Sequence, residues 1–289
     1  MRNIKHSIQD PITFIDSIGE NLQEEHLIQY RSVELDVKQR YSIFADKHKQ
    51  LETINPLWNT SNSADVPKME CTRKMYSRER KSIKNLWDEL HTLNGEGKVL
   101  RCPLCGLDYV YDLDHYMPKS IYPEYAVHPQ NLIPICHRCN NKKLEKWVDH
   151  QNKRVIFNAY FDIITSECPL ICNIIIQDNL PLAIVSISTI HNSPIIDIMI
   201  NTINILDLKV IYDQVVNERL RLEIQRTKEY IKEGINYGLT DINKLWDIRK
   251  NEYSSSLKQD IPEFDYLLFT GLTSSTALDE WIVENIMKI

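Results

Sequence analysis

The sequence predicts an α+β fold that is mainly α, with a small irregular module set between two helical regions. Three observations carry this. Apolar residues recur at spacings of three and four through residues 11–53 and again from Pro194 onward, the period of amphipathic helices. Between these regions, RCPLCG and ICHRCN each place two cysteines two residues apart. The stretch DLDHYMPKS, Asp112 to Ser120, sets two aspartates beside a histidine and then interrupts the chain with Pro118. The expected boundaries are a helical N-terminal region over 1–98, the module over 99–162, and a hairpin followed by helices over 163–289.

Taken in chain order, PITFIDSIGENLQEEHLIQYRSVELDVKQRYSIFADKHKQLET reads as helices separated by short turns. Residues 54–68, INPLWNTSNSADVPK, are rich in Asn, Ser and Pro and read as a loop. Residues 68–85 then hold seven Lys or Arg against two Glu, a basic run in an acidic protein. In SIKNLWDELHTL, Ile83, Leu86, Trp87 and Leu90 fall on one helical face, and glycines at 95 and 97 are available to end it. Beyond the module, NIIIQ and LAIVSIS flank DNLP and suggest a two-stranded hairpin, because β-branched residues favour strands. There is no internal repeat and no low-complexity tract.

Composition narrows the function classes. With 43% apolar and 26% charged residues, this is an ordinary globular chain of 289 residues, long enough for a real core. The segment MRNIKHSIQDP lacks the apolar stretch of a signal peptide, and NIIIQDNLPLAIVSIS is too interrupted for a membrane span, so a cytoplasmic protein is expected. Net charge is -6. Phosphate neutralisation supplies most non-specific nucleic-acid affinity, so any such site must be a local patch or be completed by a partner.

Cys102, Cys105, Cys136 and Cys139 read as one metal site before they read as disulfides. A CxxC turn points both sulfurs at one ion, and four thiolates suit Zn²⁺ held structurally, with no open position for chemistry. The competing reading is two unrelated pairs, one of them redox-active. Thirty residues separate Cys105 from Cys136, against about 15–20 in a simple ribbon, so something folded lies between. The other three cysteines, Cys71, Cys168 and Cys172, are expected as small buried apolar side chains.

What lies between is DLDHYMPKS. LDYVYDLDH alternates apolar and polar residues, as a strand ending near His115 does, and NLIPIC is a second short strand beginning at Asn131. Pro118 lets the Asp114–His115 pair turn at the strand end and serve one pocket. After Cys139, NNKKLEKW reads as a helix start with Asn140 at its mouth, where asparagine is a favoured cap.

The order CPLC, then DH, then Asn131, then CHRCNNKK resembles the HNH endonucleases, across about 45 of the 289 residues. That family's ββα-metal fold is often braced by four cysteines. The resemblance implies that His115 is the general base, that Asp114 and Asn140 hold one catalytic cation, Mg²⁺ or another divalent, and that Asn131 fastens the loop and orients His115 through its amide. The position of Asn140 is often histidine in the family, and asparagine is a known variant there. The chemistry agrees: a phosphodiester needs an activated water on one side and charge neutralisation on the other. A histidine accepts protons near neutral pH, and a hard cation takes oxygen ligands.

Lys119, Arg138, Lys142 and Lys143 cluster around these residues and are candidates for phosphate contacts, or for simple solvation. The basic run has the same two readings, and Tyr76 inside it could stack a base or simply pack. Asp112 shares the face of Asp114 and is catalytic or merely hydrogen-bonded to the loop. His137 and His128 are weaker candidates, His137 being expected exposed rather than on zinc.

The longer wording LDHYMPKSIYPEYAVHPQNLIPICHRCNNKK, with NAYFD at 158–162, is similar to the HNH subunits of Septu-type anti-phage systems, also found in retron-associated operons. Those work with a partner ATPase of the ABC or SMC-like class. The resemblance therefore implies DNA as substrate, such a partner, and assembly into a larger complex, with the helical arms at 1–60 and 194–289 as docking surfaces. Two other readings stay open: a standalone restriction-like nuclease, and a non-enzymatic zinc-knuckle module that binds nucleic acid or protein.

Overall fold

The computed structural model describes residues 1–95, 100–164, 169–188, 193–238, 241–256 and 263–285. It is mostly helical, with two two-stranded antiparallel sheets among the described residues. Gly97 and Cys168 lie outside the described residues. No described helix is long and apolar enough to cross a membrane.

The chain forms two compact units, Met1–Thr165 with Ser193–Leu206, and Ser166–Asn192 with Asp207–Ile289. In the first, helices α1 (Pro11–Gly19), α2 (Glu24–Arg31), α3 (Glu34–Lys47), α4 (Val66–Met75) and α5 (Lys81–Gly95) precede a hairpin of β1 (Asp112–His115) and β2 (Leu132–Ile135), then α6 (His137–Lys143). A later helix, α7 (Pro194–Ile205), returns to this unit. Asp10 caps α1 by accepting from the Thr13 amide at 2.8 Å, and Pro11 fills the first helical position. Phe14, Ile15, Ile18, Val37, Phe44, Leu86 and Leu90 are buried, as helical periodicity requires. The loop expected over 54–68 gives way to α4 at Val66, where Pro67 sits in the first turn and tolerates a helix start.

Two of the helices meet the module at the loop between β1 and β2. Both α3 and α4 pack on the short turn Pro123–Tyr125 in the loop joining β1 to β2. There the Tyr125 hydroxyl donates to the Arg40 carbonyl at 3.1 Å, and the Leu57 amide donates to buried Glu124 at 2.9 Å. The N-terminal helices therefore brace the loop that follows His115.

In the second unit, β3 (Leu170–Gln177) and β4 (Leu180–Ile187) form the expected hairpin. Asp178 and Asn179 turn it with φ of 49° and 59°, the positive values that mirror-image hairpin turns need. Helices α8 (Leu208–Asn236), α9 (Ile242–Ser256), α10 (Glu263–Ser274) and α11 (Thr276–Asn285) complete the unit. Helix α10 lies close on β3 because position 271 is glycine; a Cβ there would stand 2.9 Å from Cys172 Sγ.

Candidate active site and cysteine cluster

The first cysteine pair sits on a tight turn. Gly106, with φ of 70°, donates its amide to the Cys102 carbonyl at 2.9 Å, and the Cys102 amide bonds the Asp108 carbonyl at 2.8 Å. The second pair opens α6: Cys136 is its N-cap, and its sulfur accepts from the Cys139 amide at 3.4 Å. All four sulfurs are buried and lie within 4.8 Å of one another, with 3.8 Å between those of Cys105 and Cys136. A tetrahedral zinc with bonds of about 2.3 Å sets its sulfurs about 3.8 Å apart, so the donor set fits that ion. Cys71 and Cys172 stand outside the cluster; burial pushes both thiols up to about 11, leaving them neutral.

The cluster fixes where α6 begins, and this corrects one expectation. The helix starts at His137, not Asn140, because Cys136 takes the cap. Asn140 is therefore one turn inside the helix, and it faces β1. Its Nδ2 donates to Asp112 Oδ2 at 2.9 Å. On β1, Asp112 pairs with Ile135 and His115 with Leu132, so Asp112 and Asp114 share one face of the strand.

The two carboxylates have different surroundings. Asp112 receives Asn140, His137 Nδ1 at 3.1 Å and Arg78 Nη2 at 2.6 Å. Burial alone would raise its pKa, but these donors and the Arg78 charge outweigh that and hold it below the usual carboxylate value. Asp114 faces Lys143, whose Nζ lies 2.9 Å from Oδ2 and also 2.9 Å from the His115 carbonyl. There burial wins over the lysine charge and raises the carboxyl. Asn140 thus meets Asp112 directly, whereas Asp114 is met by lysine.

His115 ends β1, buried, with its ring edge against Tyr76 at 4.5 Å and 72°. Nε2 lies 2.8 Å from the Ala126 carbonyl. A carbonyl only accepts, so Nε2 carries the hydrogen and Nδ1 keeps its lone pair. Burial, helped by the nearby Lys119 charge, lowers the imidazole pKa to about 3, so the ring is neutral at physiological pH.

Asn131 is fully buried and staples the loop. Its Oδ1 accepts from the Met117 amide at 2.8 Å, and its Nδ2 donates to the Met117 and Tyr125 carbonyls at 3.1 Å each. These bonds tie the loop together, while the His115 Nε2 bonds the Ala126 carbonyl rather than the Asn131 amide. The orientation is relayed: Asn131 fixes Tyr125, and the next residue, Ala126, holds Nε2. The NAYFD segment packs behind this hairpin, with the Tyr160 hydroxyl donating to the Leu132 carbonyl at 2.6 Å and Arg154 paired to Asp162 at 2.6 Å.

The candidate phosphate contacts separate. Lys143 is 1% exposed and spent on Asp114 and the His115 carbonyl, so it is a buried strut rather than a surface cation. Arg138 pairs with Asp108 at 3.2 Å beside the cysteine turn, which braces the cluster. Lys142 is exposed on α6. Lys119 is half-buried with its ammonium 4.7 Å over the Tyr76 ring. His137 is exposed at 70% and bonds Asp112, outside the cysteine cluster. His128 is buried among Tyr41, Phe44 and Tyr125 and belongs to the core.

Arg78 and Tyr76 were not singled out as site residues by their spacing. What marked them in the sequence was the local charge of the run and, for Tyr76, an aromatic ring inside it.

This geometry sits in a chain with limited likeness to known proteins. No family model matches it, and no solved structure matches it. It is 35% identical over 63 residues to protein ea31 of Escherichia phage lambda, which is 22% of this chain and 20% of that protein. It is also 35% identical over 54 residues to the Septu protein PtuB of Bacillus thuringiensis, 19% of this chain and 21% of that protein. The matched segment spans about a fifth of these curated relatives.

Proposed function

We propose that the chain is a metal-dependent nuclease of the HNH type that hydrolyses phosphodiester bonds, most naturally in DNA, as the effector of an anti-phage defence complex. The observation that carries this reading is His115: a buried neutral imidazole at a strand end, its Nε2–H fixed on a loop carbonyl and its Nδ1 lone pair retained. Beside it, two aspartates and an asparagine stand on facing elements, β1 and α6. The likeness to the Septu protein PtuB supports the defence setting and a partner, for which the ABC or SMC-like ATPase class is the one the resemblance implies.

In this reading Nδ1 of His115 accepts the proton of a water whose oxygen attacks phosphorus, and the bond to the departing ester oxygen breaks. A divalent cation such as Mg²⁺, once bound, would neutralise charge on the phosphate and the leaving oxygen. Asp112, Asp114 and the Asn140 amide oxygen are the oxygen donors available to hold it, the set a hard cation takes. Asp112 joins the pair expected from sequence because Asn140 already touches it. The incoming phosphate anion also raises the basicity of the buried imidazole.

The test is nicking of supercoiled plasmid in Mg²⁺ at low ionic strength, comparing wild type with His115→Ala. Cleavage should fall by about 10²–10⁴ while zinc content is retained, as for loss of a positioned base. An alanine variant that cuts at the wild-type rate would overturn the reading.

A further inference from the structure

Tyr76 and Arg78 belong to the basic run between α4 and α5, outside the cysteine-braced module, yet both reach its catalytic corner. The Tyr76 hydroxyl donates to the Leu113 carbonyl at 3.2 Å, which anchors the segment to β1. Its ring presents one contact to His115 and another to the Lys119 ammonium, at 4.5 and 4.7 Å between centres. Arg78 crosses to Asp112 while its side chain stays 58% exposed. Among the described residues Lys119 makes no ion pair, and its ammonium is disfavoured by burial and then by the charges of Arg78 and Arg73. Arg78 and Lys119 thus both stand at the Tyr76 side of the site, with Arg73 adding a further positive charge on Lys119, and the Asp112 carboxylate that Arg78 meets is already shared with Asn140 and His137. Like charges held close together, one of them without an acid partner, are stabilised when an anion arrives.

We infer that Tyr76, Arg78 and Lys119 form a wall of the active site that grips the phosphodiester backbone of a nucleic-acid strand beside His115. This rests on the nuclease reading above and adds where the substrate lies. The strand runs over the segment before α5, so the N-terminal region contributes binding residues and not only bracing. Arg78 has the fork geometry for a phosphate and enough exposure to reach one. Tyr76 holds Lys119 in place by cation–π contact.

The experiment measures binding apart from cleavage. Fluorescence anisotropy of labelled single- and double-stranded oligonucleotides, DNA and RNA, is recorded with the full chain in EDTA across a salt series. Arg78→Gln and Lys119→Gln should each weaken binding about 3- to 10-fold at low salt and reduce the log–log salt slope by about one, and the double variant by about two. Lys84→Gln, in the same basic run but paired with Glu79, should leave the slope unchanged. Thermal melts identify any variant that fails to fold, and Arg78→Lys then replaces Arg78→Gln. The Arg78→Lys prediction is the same slope with a weaker grip, because the charge stays and the fork is lost. A folded double variant with wild-type affinity and slope overturns the proposal, as does a wild-type chain that binds none of the strands at the lowest salt. If the double variant binds and cuts normally while His115→Ala is inactive, the wall fails and the nuclease reading stands. If the slopes change as expected but Mg²⁺ gives no His115-dependent cleavage, the wall stands and the nuclease reading fails.

Discussion

Lys143 shows how one side chain sets the character of the site. It is buried between Asp114 and the His115 carbonyl, and removing one member of a buried ion pair leaves an uncompensated charge. Lys143→Met should therefore destabilise the protein by about 3–5 kcal/mol in urea unfolding at neutral pH, and adding Asp114→Asn should recover much of that. Lys142→Gln, on the exposed side of the same helix, should stay within about 0.5 kcal/mol of wild type. A Lys142 loss matching that of Lys143 would remove the strut. His128 supplies a pH-dependent counterpart. Its Nδ1 accepts from the Gln130 amide, so Nε2 carries a hydrogen that finds no partner among the described residues, and burial lowers its pKa to about 3. The unfolded chain takes up a proton near its ordinary value of about 6.5, which the folded chain refuses. Stability is thus full above that value and is lost as pH falls toward the folded pKa. Relative to wild type, His128→Phe should lose about 2 kcal/mol less between about pH 7.5 and about pH 5, read from denaturant melts at each pH. Equal losses would mean that His128 is protonated in the folded protein. At this scale the cysteines and the DH pair were legible because their residue types and spacing are chemically unusual. Lys143 was not, since a KK pair carries no sign of which lysine turns inward.

At the scale of elements, the phase of α6 decides that question, and the cysteine cluster sets the phase. Reading the helix from Asn140 treated asparagine as the cap, a sound local preference. The sulfur of Cys136 took that place instead, because the cluster must fold its second pair onto the helix start. Starting at His137 turns Asn140 toward Asp112 and Lys143 toward Asp114, so the cluster positions the candidate cation ligands through one short helix. Cys136→Ser should then lose zinc by metal analysis, lower the melting temperature and abolish cleavage together, because metal-binding free energy is folding free energy in small sites. Cys172→Ser, at a buried thiol outside the cluster, should cost stability without changing zinc content. Full zinc and a wild-type melt for the Cys136 variant would remove the cluster from this role. The hairpin of β3 and β4 was legible for the opposite reason. Its signal is wholly local: β-branched runs around Asp178 and Asn179, residue types that tolerate positive φ. Residues 11–53 read as helices, and α1, α2 and α3 lie there, but what α3 packs against was not legible. Periodicity gives a face and not its partner, and α3 spends part of its face on the loop behind His115.

At the scale of the whole molecule, charge opposes the site. The chain carries -6, while among the described residues the exposed or half-buried cations seen at its catalytic corner are Arg78 and Lys119, with the Arg73 charge acting on Lys119. Two of the four cations suggested by sequence, Arg138 and Lys143, are committed to acids of the protein itself. A grip of two or three phosphate contacts is weak and fades as salt rises, since each contact adds about 0.9 to the salt slope for duplex DNA. The lone chain should therefore cut poorly at about 150 mM salt and better at about 20 mM. A partner that adds a second basic surface should restore cutting at the higher salt, because contacts on one strand reinforce each other through effective concentration. The measurement is plasmid cleavage in Mg²⁺ across a salt series, with the chain alone and with whatever protein co-purifies with it from its native host. The expected pattern is a steep fall for the lone chain and a shallow one for the complex. Undiminished cleavage by the lone chain at about 150 mM salt would mean that its own surface holds DNA unaided, and would favour a standalone nuclease over a subunit.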